Sequence, residues 1–141
     1  ADTLQEIVGQ SAKVHTIEDV YSYMHLDSTI ALLREGLLLV NPSRIKDKSQ
    51  LPLPLRSWDV INAPEPDDIG HYPGHCNSSP WINVNLLSIN ENLVVLEEHQ
   101  QNLRKELAKY KIDSAMLPMR HARTLGGCFH CITVDLERTN N

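Results

Sequence analysis

Thr29-Ile30-Ala31-Leu32-Leu33-Arg34-Glu35-Gly36-Leu37-Leu38-Leu39-Val40 is two apolar runs hinged on a short segment ending in Gly, with Asn41-Pro42-Ser43-Arg44 as the terminator. That pattern predicts a β-hairpin. It returns, with a small offset, at Val84-Asn85-Leu86-Leu87-Ser88-Ile89-Asn90-Glu91-Asn92-Leu93-Val94-Val95, so that Thr29 lies over Val84. Each copy is followed by a polar stretch and a further apolar run, Trp58 to Ile61 after the first and Asp113 to Met119 after the second. The reading is an α/β fold built from a repeated strand-strand-helix-strand module, with modules roughly over 12–62 and 80–119. A repeat that cannot bury its own face needs neighbours.

Outward from the hairpins the elements are shorter. Leu4, Ile7 and Val8 fit a helix stopped by Gly9. Ala12 to Ile17 is read as a strand, and the apolar run before the first hinge extends back to Tyr23. Leu51-Pro52-Leu53-Pro54 excludes a regular interior element, because Pro lacks the N–H of a ladder. Ala63 to Pro80 carries four Pro and two Gly and is one long loop, a length often used for functional lids. Trp81 to Ile89 reads as a strand with Asn83 and Asn85 on one face, and Glu97 to Lys111 is the clearest helix. A last strand is expected over 125–138, with no partner left in the chain.

The totals exclude several functions. A chain of 141 residues is the size of one domain, and its net charge of -5 offers no basic face for nucleic acid. No apolar run approaches the roughly 20 residues of a membrane span. Three Cys are too few for a secreted disulfide framework, and the first residues lack the regions of a signal peptide, so a soluble cytoplasmic protein is expected. The absence of an initiator Met fits processing or a piece of a longer chain.

The chemistry concentrates at Leu125-Gly126-Gly127-Cys128-Phe129-His130-Cys131-Ile132-Thr133-Val134. A thiol behind a Gly pair and ahead of a β-branched run is placed to be a nucleophile at the mouth of a strand, and Cys131 is the candidate. Its base and orienting carboxylate are sought in His25-Leu26-Asp27, which as i and i+2 of a strand would point to one face. The competing readings are a buried structural thiol for Cys131 and a satisfied polar pair for His25 and Asp27. Cys128 and Cys131 also match the spacing of a redox dithiol, although a helix should follow such a motif. Zinc held by these two with His71, His75 and Cys76 lacks the paired ligand spacing of a structural site.

Taken together, His25-Leu26-Asp27-Ser28-Thr29, Asn41-Pro42-Ser43-Arg44, Trp81-Ile82-Asn83-Val84-Asn85, Arg120 and Gly126-Gly127-Cys128-Phe129-His130-Cys131 resemble the C-terminal part of the arginine amidinotransferases. These belong to the guanidino-group-modifying superfamily, whose fold is an α/β propeller of five strand-strand-helix-strand modules (pentein-like). The resemblance implies that residues 1–141 form a single partial propeller domain of two to two and a half modules. It implies transfer of the amidino group of arginine to an amine acceptor through a Cys131 intermediate, with His25 as acid and base and Asp27 holding the guanidinium or orienting His25. Arg44 stands where the family binds a substrate carboxylate, and Asn83 and Arg120 are further substrate contacts. No cofactor or metal is implied. Alternatives are a deiminase-type hydrolase of the same superfamily and a non-catalytic binding or assembly module. Cys128 stands where a third Gly is common, opening the way to a Cys128–Cys131 disulfide, and Asn83 stands where Ser is usual. The family's further Asp lies well upstream of its catalytic His, and with only 24 residues before His25 the module that carries it is expected to be absent. A broken propeller flank should pair with a second copy or a complementing chain.

Overall fold

The computed structural model describes residues 2–20, 25–70 and 74–137. Helix α1 (Asp2–Val8) forms as expected and ends at Gly9, whose φ of 58° is left-handed. Residues 12–17, expected to be a strand, run without regular structure. Tyr23 and Met24 of the first apolar run lie outside the described residues.

The hairpin forms from strand β1 (Ile30–Arg34) antiparallel to β2 (Leu37–Val40), and β3 (Asp59–Asn62) joins β2 in parallel. Gly36 turns the chain at φ 80°, a backbone that costs a residue with Cβ about 1–2 kcal/mol. The crossover from β2 to β3 uses two 3-10 turns, Lys48–Gln50 and Leu53–Leu55, because Pro52 and Pro54 deny it a helix.

The second module repeats this plan with a true helix. Strand β4 (Leu87–Asn90) pairs antiparallel with β5 (Leu93–Glu97), helix α2 (Gln101–Lys109) crosses over, and β6 (Asp113–Leu117) lies parallel to β5. Both hairpins break register just before the turn, at Leu32/Arg34 and at Ser88/Asn90. Arg34 therefore corresponds to Asn90 and Leu37 to Leu93, a spacing one residue longer than the overlay of the sequences. Helix α2 is shorter than the 97–111 expected. Glu97 completes β5, its carboxylate accepting the His99 N–H at 3.0 Å, and Lys111 leaves the helix with φ 60°.

The two sheets share one core. Leu37 and Leu39 pack with Val84, Leu86, Val94, Leu96, Leu103, Leu107 and Ile112. Leu38 and Val40 point the other way, onto Ile45 and Leu51, so β2 is buried on both faces, as a strand flanked by a parallel neighbour and a crossover must be. Each such aliphatic side chain contributes about 1.5–3 kcal/mol. The hairpins are tied edge to edge by Arg34, whose Nη1 donates to Glu91 O at 3.1 Å and Nη2 to Tyr110 O at 3.1 Å, and by Ser88 Oγ donating to Leu32 O at 3.1 Å.

Two expected strands differ. Trp81 to Leu86 makes turns, Val84 N to Trp81 O at 3.3 Å and Asn85 N to Ile82 O at 3.1 Å, and pairing begins only at Leu87. Asn side chains bonded to backbone compete with a ladder, and that is their use here. The strand expected over 125–138 does not form in the described residues to 137. Helix α3 (Ala122–Leu125) precedes a turn in which Thr133 Oγ1 donates to Phe129 O at 2.9 Å, leaving Ile132, Val134 and Leu136 64%, 79% and 93% exposed. β-Branched residues favour strands only where a neighbour offers a ladder, and no described strand does.

Candidate active site

His25-Leu26-Asp27 precedes β1 as a 3-10 turn, Leu26–Ser28, and not as part of the strand, so the pairing of His25 with Asp27 does not come from a pleat. The turn is fastened from behind. Asn41 Nδ2 donates to Ser28 O at 3.2 Å, and Arg44 Nη1 donates to Ser28 Oγ at 2.8 Å and Thr29 Oγ1 at 2.7 Å. The terminator after β2 thus fixes the residues that carry Asp27.

Cys131 arrives from the opposite side. Helix α3 ends at Gly126, whose φ of 89° reverses the chain. Gly127 then passes so close to Cys131 that a Cβ on it would lie 2.4 Å from Cys131 Cβ and 2.5 Å from Sγ. Only Gly fits that approach. Asn85, 4% exposed, holds the loop: its Oδ1 accepts from Cys128 N at 2.9 Å and Cys131 N at 3.3 Å, while its Nδ2 donates to Cys131 Sγ at 3.1 Å.

The two halves meet at Asp27. Cys131 Sγ donates to Asp27 Oδ2 at 3.0 Å, and His130 Nδ1 lies 2.9 Å from the same oxygen. A ring nitrogen of His25, the sulfur and an Asp27 oxygen all lie within 4.8 Å of one another. Asp27 Oδ1 is buried and bonds to no described residue. Although Cys131 is exposed as a residue, its sulfur sits against Asn85 and Asp27. Burial first, and then the bond to Asp27, push its thiol above the usual pKa, with Asn85 acting in the opposite direction. These surroundings favour the neutral thiol over the thiolate at Cys131.

Two cavities open beside this cluster. One of about 810 Å³ is lined by Asp27, His25 and His130 with the apolar Ile30, Leu32 and Leu86. The other, about 450 Å³, is lined by Cys131, His25, His121, Met119 and Gly127. His25 borders both.

The remaining sequence candidates separate. Asn83 is fully buried, its Nδ2 donating to Pro64 O at 2.9 Å, so Asn85 and not Asn83 reaches the thiol. Arg120 is exposed ahead of α3, between Met119 and His121 of the smaller cavity. Cys128 is buried, its thiol pushed up to about 12 by that burial, and all three cysteines are free, so no Cys128–Cys131 disulfide forms. The described clusters of possible metal ligands, His25-Asp27-Cys131 and Glu97-Glu98-His99, include neither Cys128 nor the His75-Cys76 pair, and His71 lies outside the described residues. Asn85 and His130 were quoted in the motifs without a role at the thiol. Alternation in the expected strand puts Asn83 and Asn85 on one face and does not tell them apart, and the Asp27–His130 contact joins residues too far apart in sequence for spacing to reveal.

Paired strand-strand-crossover-strand modules, with a Cys, a His and an Asp gathered at one end, form a partial α/β propeller of the pentein-like kind. No family model matches the chain. Inosamine-phosphate amidinotransferase 1 of Streptomyces glaucescens is 43% identical over 141 residues, all of this chain and 40% of that protein. L-arginine:L-lysine amidinotransferase of Pseudomonas savastanoi pv. phaseolicola is 35% identical over 137 residues, 96% of this chain and 36% of that protein. The solved inosamine-phosphate amidinotransferase of Streptomyces griseus superposes with a TM-score of 0.92 at 42% identity, covering 99% of this chain and 40% of that one. Over nearly its whole length the chain matches amidinotransferases, and it spans about two fifths of the length of these relatives. No helix among the described residues is long and apolar enough to cross a membrane.

Proposed function

We propose that this chain carries the nucleophile side of an amidinotransferase site, acting on arginine. The observation that carries the reading is Asp27. One carboxylate oxygen takes the Cys131 thiol at 3.0 Å, and the other is buried without a described partner. A buried acceptor without a donor costs about 1–3 kcal/mol, which a cationic N–H donor relieves. A guanidinium supplies such donors in a planar fork and places its central carbon beside the sulfur.

The chemistry then follows from the groups present. The thiol proton passes to His25 as the guanidinium charge offsets Asp27 and favours the thiolate. Cys131 Sγ attacks the guanidinium carbon, the C–S bond forms, and the C–N bond to the ornithine side chain breaks as His25 returns the proton to that nitrogen. The acceptor amine attacks the S-amidino carbon in turn, the C–S bond breaks, and His25 takes the amine proton and restores the thiol. Arg44 is our choice for the substrate carboxylate, binding it while it braces the Asp27 turn, and Arg120, the residue between the cavity-lining Met119 and His121, is proposed as a further substrate contact. Incubation with guanidino-labelled arginine should leave an amidino adduct on Cys131, read by peptide mass spectrometry. Equal labelling of Cys131→Ala would refute the nucleophile. Continued turnover of arginine without any added amine, beyond one equivalent per Cys131, would turn the reading toward a hydrolase.

The exposed Ile132, Val134 and Leu136 and the apolar wall of the 810 Å³ cavity need cover, and a second copy or a complementing chain is proposed to give it. A strictly monomeric chain by light scattering, unchanged by dilution, removes that part. Three free cysteines suit a reducing compartment, and the cytoplasm is proposed.

A further inference from the structure

We propose that Asn85 is the positioning residue of the Cys131 nucleophile: its carbonyl oxygen fixes the Cys128–Cys131 loop, and its amide nitrogen gives the sulfur the hydrogen bond that holds the thiolate. This rests on Cys131 being the nucleophile.

The amide can face only one way. Asn85 Oδ1 accepts two backbone N–H groups, from Cys128 at 2.9 Å and Cys131 at 3.3 Å. Turning the amide over would set an NH2 against both donors and leave them without an acceptor, a large penalty at 4% exposure. The backbone therefore dictates that an N–H, never an oxygen, meets Cys131 Sγ at 3.1 Å. The residue is itself held in place: its N–H donates to Ile82 O at 3.1 Å and its C=O accepts from His130 N at 3.4 Å.

The need for such a donor follows from what else faces the sulfur. Asp27 Oδ2 at 3.0 Å suits a thiol that donates and repels a thiolate. His130 is engaged with that same Asp27 oxygen, His25 stands within 4.8 Å, and His121 borders the cavity the thiol opens into. Cys128 is buried and neutral. Once the proton has left, Asn85 is the neutral group whose N–H already points at the charge, and it needs no reorganisation to bind it. Because the same side chain clamps the Cys131 N–H, it fixes the sulfur's direction of attack along with its charge.

The test reads the Cys131 thiol directly, so it does not depend on amidino transfer. Rates of iodoacetamide alkylation at Cys131 are measured against pH by peptide mass spectrometry, with Cys76, outside this network, as the internal reference. Asn85→Asp keeps an acceptor for the two N–H groups and replaces the donor by a second acceptor. It should raise the midpoint at Cys131 by about one pH unit or more, a tenfold or greater loss of rate below the midpoint, with Cys76 unchanged. Asn85→Ala should shift the midpoint the same way and lower the rate. A folded Asn85→Asp chain with the wild-type midpoint at Cys131 overturns the proposal and leaves Asn85 a loop clamp. Where the variants lose their fold, the unmodified chain decides: the Asn85 side-chain NH2 resonance should move with the Cys131 titration and stay fixed in Cys131→Ala. A resonance that ignores that titration overturns the proposal. Failure to form an amidino adduct with these shifts intact would strike the proposed reaction alone.

Discussion

Replacing Gly127 by Ala tests the closest approach in the site. The added methyl would lie 2.4 Å from Cys131 Cβ and 2.5 Å from Sγ. Apolar carbons prefer about 3.5–4.0 Å, so the overlap exceeds about 1 Å. Rotating the Cys131 side chain removes the sulfur clash but not the Cβ clash, because Cβ is placed by the backbone. The loop must therefore move, pulling Cys131 N and Cys128 N from Asn85 Oδ1 and the thiol from Asp27. Overpacking of this kind costs about 1–3 kcal/mol, roughly 4 °C in Tm per kcal/mol for a chain of this size. Gly36→Ala is the control: its Cβ would meet nothing within 4 Å, so its cost of about 1–2 kcal/mol is backbone strain at φ 80° alone. Urea denaturation and Cys131 alkylation separate the two. Both variants should lose stability, and only Gly127→Ala should change the rate at Cys131. Wild-type stability and wild-type alkylation in Gly127→Ala would show that the Gly-Gly turn does not press on Cys131.

Two further perturbations address the parts that hold the site. The Cys128 thiol is raised by burial from 9.0 to about 12, so its contribution to stability is fully present below about pH 9 and is lost as pH rises toward 12. Within that window the loss is about 1.4 kcal/mol per pH unit. The stability difference between the wild type and Cys128→Ala, from urea melts at pH 8, 9 and 10, should narrow at that slope above pH 9, and a constant difference would mean the thiol is not buried. Arg44→Ala removes the bonds to Ser28 and Thr29 behind the Asp27 turn and should cost about 1.5–3 kcal/mol or more in the same melts, with slower adduct formation at Cys131. Unchanged stability with weakened arginine binding alone would make Arg44 a substrate contact and not a brace.

The repeat was legible because both hairpins are written in the same local code: apolar runs, a two-residue turn at Glu35-Gly36 or Glu91-Asn92, and a register break before it. The termini of the site were not written that way. His25, Asp27 and Cys131 come together although both strands expected to carry them are turns. Their convergence is a property of the fold, set by Arg44 and Asn41 behind one half and Gly126-Gly127 beneath the other. Motif resemblance preserves that tertiary arrangement, whereas strand periodicity does not. Asn85 shows the limit most sharply. In Trp81-Ile82-Asn83-Val84-Asn85 polar and apolar residues alternate as in a half-buried strand, yet both Asn are buried and bonded to backbone more than a turn away, Asn83 to Pro64 and Asn85 to Cys128 and Cys131. Alternation reports only which side chains differ in polarity, and it cannot say that the polar ones are buried because a distant loop supplies their partners. Asn85, which donates to the Cys131 thiol, is for that reason a residue the local pattern was least able to mark.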